Sequence, residues 1–213
     1  SQTVNIGNLI TFQDDTPSID LGAAERPEVT ALKTADHNTI GGDIPATTDV
    51  TEGQDSASGS FAGLFTIVSS SMGADNVGGT AAAITGYNLL VGAAGSGLTS
   101  GGQTITLVKV GDDIVGRIPS GPSSTTDIFK VSVDATGNVT LTQYEKIDHT
   151  PDNPATTDSN EASTTTGLVQ SLAAGSITLT ATATITDGDG DKSSDSQTVN
   201  IGNLITFQDD TPS

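Results

Sequence analysis

The stretch SITLTATATIT, residues 176–186, alternates apolar and threonine side chains almost without a break. Successive side chains of a strand point to opposite faces, so one face carries isoleucine, leucine and alanine while the other carries threonine. A segment with two such faces is typical of an antiparallel strand that covers a core on one side and meets water on the other. The stretch therefore predicts a half-buried strand.

Similar but shorter strand signals recur along the chain, at Val4–Phe12, Phe61–Ser70, Thr104–Val110, Asp127–Val133 and Asn138–Tyr144. The last two flank Asp134-Ala135-Thr136-Gly137, a turn sequence that predicts a hairpin. No segment sustains a period of 3.6 residues, so the predicted fold class is all-β. An immunoglobulin-like β-sandwich needs about 100 residues, so this chain is long enough for two modules or one enlarged one.

The two ends of the chain carry the same sequence: residues 1–18 and 196–213 are identical, with a period of 195 residues. The simplest interpretation is one unit of a tandem array, and a duplicated tag is the alternative. Two polar stretches, 36–60 and 148–166, bracket a strand-rich segment. We therefore predict a split outer sandwich, residues 1–60 and 148–213, with an inserted β module at 61–147. Two consecutive domains are the competing division.

The chain is strongly acidic, with 7 Lys+Arg against 26 Asp+Glu and a formal net charge of −19. Nucleic acids and anionic lipids are bound mainly through Lys and Arg, so neither is an expected partner, and divalent cations are the natural counter-charge. No apolar stretch is long enough to cross a membrane, so no direct membrane insertion is expected. Residues 1–20 lack the features of a signal peptide, and any export signal is expected outside this sequence.

The clearest chemical motif is Asp187-Gly188-Asp189-Gly190-Asp191, directly after the best strand. Alternating Asp and Gly lets the backbone turn sharply while the carboxylates converge, as a hard cation with oxygen ligands requires. Calcium fits such a flexible loop better than magnesium, and soft metals are disfavoured because the chain has no Cys and only two His. An ordinary solvated hairpin turn is the alternative interpretation.

A second candidate is the pair Asp14-Asp15 with its copy Asp209-Asp210, each followed by Thr-Pro-Ser. Adjacent carboxylates repel, and the proline ends the preceding strand, so each pair lies where one unit would join the next. A cation held there by ligands from both sides would stiffen the joint. A polar linker without an ion is the alternative.

A third candidate group lies in a proline-containing loop. It consists of four acids and one histidine: Asp148, His149, Asp152, Asp158 and Glu161. Asp148 and Asp152 are its candidate calcium ligands. The loop is equally well interpreted as a solvated crossover between the two modules.

The chain resembles the long repeated extender domains of RTX adhesins, which are giant bacterial surface proteins exported by the type I route. The resemblance rests on ATATITDGDGDKSSDSQTVNIG at 181–202, on LITFQDDTPS at 9–18 and 204–213, and on GNVTLTQYEKIDH at 137–149. Together these motifs cover the whole period, in the same order. The glycine-rich nonapeptide of RTX β-rolls is absent, so the likeness is to the extender portion.

The resemblance implies a calcium-bound β-sandwich repeat, with ions at the linkers, on the bacterial cell surface. Such repeats hold a distal ligand-binding region away from the cell for attachment or biofilm formation. The expected partners are neighbouring repeats of the same chain, and an isolated unit is expected to be monomeric. The acidic loop 187–191 and the two linker pairs match the family's calcium-binding positions.

Catalysis is not expected. His37 and His149 lie in polar loops without a nucleophile motif, and Gly95-Ser96-Gly97 lacks the third glycine of a dinucleotide loop. The alternative function is a calcium-dependent ligand-binding module, either lectin-like or ice-binding through the threonine row. Aromatic residues, which stack on sugars, make up only 3% of the chain.

Overall fold

The computed structural model describes residues 14–25, 27–36, 54–121, 124–149 and 169–208, and these residues form strands joined by turns. The strands in chain order are β1 (Ser18–Ala23), β2 (Leu32–Ala35), β3 (Asp55–Ser60), β4 (Phe65–Ser71), β5 (Thr80–Val91), β6 (Thr99–Ser100), β7 (Gln103–Thr104), β8 (Thr106–Val110), β9 (Asp113–Gly121), β10 (Ser124–Val133), β11 (Asn138–Gln143), β12 (Val169–Ser171), β13 (Ile177–Thr186), β14 (Lys192–Asn200) and β15 (Ile205–Gln208). Short 3-10 turns occur at Ala62–Leu64 and Gly202–Leu204. The prediction of an all-β sandwich is confirmed. In the part of the chain just given, no helix has the length and apolar character needed to cross a bilayer.

The strands form several sheets that pack together. The largest has the order β3-β11-β10-β9-β8, and a second has the order β14-β13-β5. The β1–β4 pair forms a separate two-stranded sheet that lies beside β14, where the Leu21 N–H donates a hydrogen bond of 2.8 Å to Asp195 Oδ2. A third sheet, β12-β15-β2, includes a parallel pair, β15 with β2.

Strand β13 has the two faces that its sequence predicts. Its apolar side chains, from Ile177 to Ile185, are buried, and the alternating threonines are half-buried. The predicted hairpin is also present, because β10 and β11 pair on either side of the 134–137 turn. The segment predicted as a strand at 61–70 begins instead with a 3-10 turn before β4. The predicted strand at 4–12 lies outside the described residues.

The core collects buried side chains from all three of the larger sheets. Phe129 of β10 and Phe207 of β15 meet at its centre with ring centroids 5.0 Å apart. Gly116 of β9 is required there, because a Cβ at this position would overlap the Phe129 ring. Fully buried side chains of the central strands complete the core: Val131, Val139, Leu141, Ile177, Leu179, Ala181 and Ala183.

The described strands cross the predicted boundary between the outer sandwich and the inserted module. β13, from the outer part, pairs with β5, from the inserted part. β11 of the inserted part likewise pairs with β3 of the outer part. Side chains from both parts therefore share one core. The division at 61–147 and the immunoglobulin-like connectivity stay predictions.

Candidate metal centre

The acidic loop 187–191 joins β13 to β14 and is organised by its first carboxylate. Asp187 Oδ1 accepts hydrogen bonds from the Gly190 N–H at 3.1 Å and from the Asp191 N–H at 2.8 Å. The Asp187 N–H also donates to the Asp191 carbonyl oxygen at 3.0 Å, which closes the loop. Gly190 has a φ of 107°, a conformation that side-chain-bearing residues rarely adopt. Asp187 and Gly190 therefore determine the shape of the loop that carries the three carboxylates.

The other oxygen of Asp187 has no hydrogen-bond partner. The residue is only 2% exposed, and its Oδ2 is buried. A carboxylate oxygen that is buried away from water and left unpaired is costly, and buried charges in proteins are normally paired or bound to metal. This oxygen is the strongest single indication that the loop binds a cation.

A second loop, between β4 and β5, packs directly against the acidic loop. The Gly188 N–H donates to the Asp75 carbonyl oxygen at 2.5 Å. A Cβ at position 188 would overlap the carbonyl oxygen of Val77, so only glycine permits this approach. The contact places the Asp75 side chain beside the acidic loop.

Five carboxylates therefore lie close together in two overlapping groups. Oxygens of Asp187, Asp189 and Asp191 lie within 4.8 Å of one another. Oxygens of Asp14, Asp75 and Asp189 form a second group at the same separation. The structure thus brings the linker residue Asp14 to the acidic loop, although the sequence presented them as two separate candidates. Asp75 was not among the predicted ligands, and the only local signal for it is a turn-forming stretch, GADNVGG at 73–79.

Asp15, the second acid of the linker, has a different contact. Its Oδ2 accepts a hydrogen bond from the Ala74 N–H at 2.6 Å. A Cβ at Gly73, whose φ is 72°, would lie 2.5 Å from the same oxygen. Asp15 therefore ties the linker to the loop that carries Asp75, and it belongs to neither carboxylate group.

The clustered carboxylates perturb one another. The pKa of Asp189 is raised, first because its carboxyl lies within hydrogen-bonding reach of the Asp187 carboxyl, and further by the charges of Asp187 and Asp14. The pKa of Asp191 is raised chiefly by the charge of Asp14. Two such charges at 4 Å repel by about 1 kcal/mol in water and about 4 kcal/mol near a protein surface. Among the described residues, no ion pair with Lys, Arg or His relieves this repulsion.

The remaining predicted ligands are placed elsewhere or lie outside the described residues. Both oxygens of Asp148 cap a turn, accepting N–H bonds of 2.8 Å from Gly101 and Gly102. His149 is buried, with Nδ1 2.9 Å from the Ile147 carbonyl oxygen and Nε2 3.2 Å from that of Phe207. Neither residue belongs to the two carboxylate groups. The acids outside the described residues are Asp152, Asp158, Glu161, Asp209 and Asp210.

The donor set fits a hard divalent cation. All the side-chain donors are carboxylate oxygens, which calcium and magnesium prefer, and no nitrogen or sulfur ligand belongs to the groups. Four of the five side chains are exposed, so water can complete the coordination. Calcium, which accepts six to eight oxygens in flexible arrangements, suits donors from three chain segments better than magnesium does.

Comparison with known proteins gave one match. A protein-family model described as "Domain of unknown function (DUF5801)" matches residues 45–202. The matched residues include Asp75, Asp187, Asp189 and Asp191, whereas Asp14 precedes them. No curated protein and no solved structure matches the chain.

Proposed function

We propose that this chain, which belongs to the DUF5801 family, is a calcium-stabilised structural repeat that serves as a spacer in a bacterial surface adhesin. One observation carries the proposal: the linker residue Asp14 lies with Asp75 and Asp189 in a carboxylate group next to the buried, unpaired oxygen of Asp187. A cation bound there would hold the linker against the body of the unit. The spacer role further rests on the resemblance to RTX adhesin extenders.

The repeated sequence extends this contact to neighbouring units. Because Asp209 is the copy of Asp14, it would meet the acidic loop of the following unit as Asp14 meets this one. Asp210, the copy of Asp15, would likewise accept a hydrogen bond from the Ala74 N–H of the following unit. Each joint of an array would then carry its own calcium site. An array with fixed joints is a rod, which is the shape that a spacer needs.

Calcium would also stabilise each unit. Extracellular calcium modules commonly have dissociation constants of about 10⁻⁴–10⁻³ M. At a tenfold to hundredfold excess of calcium over that constant, one ion adds about 1.4–2.7 kcal/mol to the free energy of unfolding. Against a typical total of about 5–15 kcal/mol, this is a large share for a chain without disulfides.

The same carboxylates would act differently inside the cell, where free calcium is scarce. Without an ion, repulsion within the cluster and the unpaired Asp187 oxygen oppose folding. A loosely folded chain suits export through a narrow channel, and calcium outside the cell would then fold the unit and fix its joints. Secretion, surface location and attachment are parts of this proposal.

A calcium-dependent ligand-binding module is the alternative function. Its surface would be the threonine row on β13, but two of these hydroxyls already have partners. Thr180 and Thr198 share a hydrogen bond of 2.7 Å, and Thr182 and Ser196 share one of 2.8 Å. Cross-strand hydroxyl pairs stabilise sheets. The pairing of β13 with β14 therefore accounts for the middle of the row, Thr180 and Thr182, which favours the structural role.

Calorimetric unfolding in calcium, in magnesium and in a chelator tests the proposal. Millimolar calcium is expected to raise the melting temperature by several degrees, since 1 kcal/mol corresponds to about 2–4 °C for a chain of this size. Magnesium should raise it much less, because it demands a near-ideal octahedron. The same melting temperature in calcium and in chelator would refute the proposal, and equal stabilisation by both ions would refute the choice of calcium.

A further inference from the structure

The five carboxylates form two groups that share one member. We call Asp187, Asp189 and Asp191 the inner group, and Asp14, Asp75 and Asp189 the outer group. The inner group lies within one short loop and contains the buried Asp187. The outer group joins three separate segments of the chain, and its side chains are exposed. Asp189 is thus positioned to serve two sites at once.

We propose that the two groups bind two divalent cations, with Asp189 as the shared ligand, and that the inner cation binds first. This inference rests on the proposed function only in taking the acidic loop to bind calcium. The inner cation completes the β13–β14 loop and stabilises the unit. The outer cation fastens the linker and therefore governs the joint.

The charge and the grouping of the donors both favour two cations. One divalent cation neutralises two of the five carboxylates, and a second brings the total to four. The five carboxylates offer ten oxygens, of which backbone N–H groups occupy Oδ1 of Asp187, Asp189 and Asp14. Oxygens lie within 4.8 Å of one another only inside each group, and the five carboxylates do not form a single such group, so one ion is not positioned to bind all of them. Two ions that share a carboxylate, with water and backbone carbonyls as further ligands, can do so.

The order of binding follows from how far each group is already assembled. The inner group is held by hydrogen bonds inside its own loop, and the unpaired Oδ2 of Asp187 belongs to it. The outer group requires the linker, the β4–β5 loop and the acidic loop to come together, which costs more conformational entropy. An inner cation orders Asp189 and so prepares the outer site. Folding of the unit therefore precedes stiffening of the joint as calcium rises.

Calcium titration calorimetry on single variants tests this arrangement. Asp14 is a member of the outer group alone and Asp191 of the inner group alone, whereas Asp189 belongs to both, and each is replaced with Asn. All three residues are exposed, so the variants should fold, which circular dichroism can verify. Asp112→Asn is the matched control, because it removes the same charge from an exposed turn residue outside both groups.

The expected result is stated relative to the unmodified protein. Asp14→Asn should bind one calcium fewer and keep the tightest binding step. Loss of a residue that only supports a metal ligand typically weakens metal binding by roughly 10- to 100-fold. Asp191→Asn removes a ligand itself, so it should weaken the tightest calcium-binding step by more than that. Asp189→Asn should bind two calcium ions fewer than the unmodified protein. Asp112→Asn should bind the same number as the unmodified protein.

Three results would overturn the two-cation proposal: no calcium lost in Asp14→Asn, only one lost in Asp189→Asn, or the same loss of the tightest step in Asp14→Asn and Asp191→Asn. Each of these leaves calcium-dependent stability of the unmodified protein intact. The proposed function fails separately, if the unmodified protein gains no stability from calcium.

Discussion

The carboxylate oxygens of Asp14 and Asp189 lie within 4.8 Å of each other, although one residue precedes β1 and the other follows β13. Among the described residues, no Lys, Arg or His forms an ion pair with either carboxylate. The fold thus holds two like charges together, against their repulsion. A cation bound between the linker and the acidic loop would attract both carboxylates. Binding of the cation and the position of the linker are therefore coupled.

Replacing Asp187 with Asn should have opposite effects with and without calcium. The carboxamide oxygen can still accept the N–H groups of Gly190 and Asp191, while the buried negative charge disappears and an NH2 group, which can donate to the nearby Asp189 carboxylate, replaces the unpaired oxygen. In chelator the variant should therefore be more stable than the unmodified protein, by about 1–3 kcal/mol. In calcium it should be less stable, because a ligand is missing. Urea unfolding in both conditions measures the difference, and a loss of stability in chelator would contradict this explanation.

Salt should stabilise the calcium-free protein through the same cluster. The screening length falls from about 10 Å at 0.1 M to about 3 Å at 1 M salt, so it drops below the 4.8 Å within which the carboxylate oxygens of each group lie. The urea midpoint in chelator should rise over this range. Asp189→Asn, which removes the charge common to both groups, should show a smaller rise. Equal salt dependence of the two proteins would show that repulsion at this site has little effect on stability.

Local pattern was sufficient to predict some elements, and long-range pairing decided others. β13 was predictable because its alternation is complete, and the β10–β11 hairpin because its turn sequence is distinctive. β14, with the sequence KSSDSQTVN, contains one apolar residue and gives no such signal. It is a strand because it pairs along its whole length with β13 and because side-chain hydroxyls pair between them.

The candidate site shows the same limit. The DGDGD loop could be recognised as a ligand source from its own residues, since alternating Asp and Gly is a local feature. Asp75 could not be recognised, because a single acid in a polar turn is common. It becomes a candidate ligand only when Gly188 lets the β4–β5 loop approach the acidic loop. For the same reason, the sequence left the linker and the loop as separate hypotheses.

Asp134 should make the protein sensitive to acid through the β10–β11 turn. Its carboxylate accepts hydrogen bonds from the Thr136 hydroxyl at 2.7 Å and from the Asn138 N–H at 3.0 Å, and these bonds lower its pKa to about 2. A lowered pKa stabilises the folded state above the unfolded value, near 3.8, and this contribution is lost as the pH falls towards 2. The difference in melting temperature between the unmodified protein and Asp134→Asn should therefore shrink between these values.

Thr136→Val is the matched variant for the Asp134 prediction, because it removes the largest cause of the lowered pKa and keeps the carboxylate. It should lose its acid-dependent stability at a higher pH than the unmodified protein. Melting temperatures recorded in chelator across the same range provide the comparison. A constant difference between Asp134→Asn and the unmodified protein at every pH would contradict the assignment.

The buried His149 should be important for stability. Its ring faces the carbonyl oxygens of Ile147 and Phe207, and Nδ1 lies 3.5 Å from Asp36 Oδ2. His149→Phe keeps an aromatic ring but removes the ring nitrogens that face these buried oxygens, so the free energy of unfolding should fall by about 1–3 kcal/mol. Urea unfolding in calcium measures the loss. Asp112→Asn, at an exposed turn, should change stability by less than about 0.5 kcal/mol. A loss for His149→Phe within that smaller range would argue against a buried polar network here.

The linker prediction requires a protein of two successive units joined through Asp209-Asp210. In calcium, a fixed joint should give the small-angle scattering of an extended rod. Replacing Asp209 and Asp210 with Asn should give a bent, more variable shape, because the copy of Asp14 can no longer bind the cation and the charge that receives the Ala74 N–H is lost. The control replaces Asp14 and Asp15 of the first unit, which removes the same two charges away from the joint. The control should scatter as the unmodified rod does, and both proteins should unfold at similar temperatures. If the joint variant scatters like the control, the linker carboxylates do not set the angle between units.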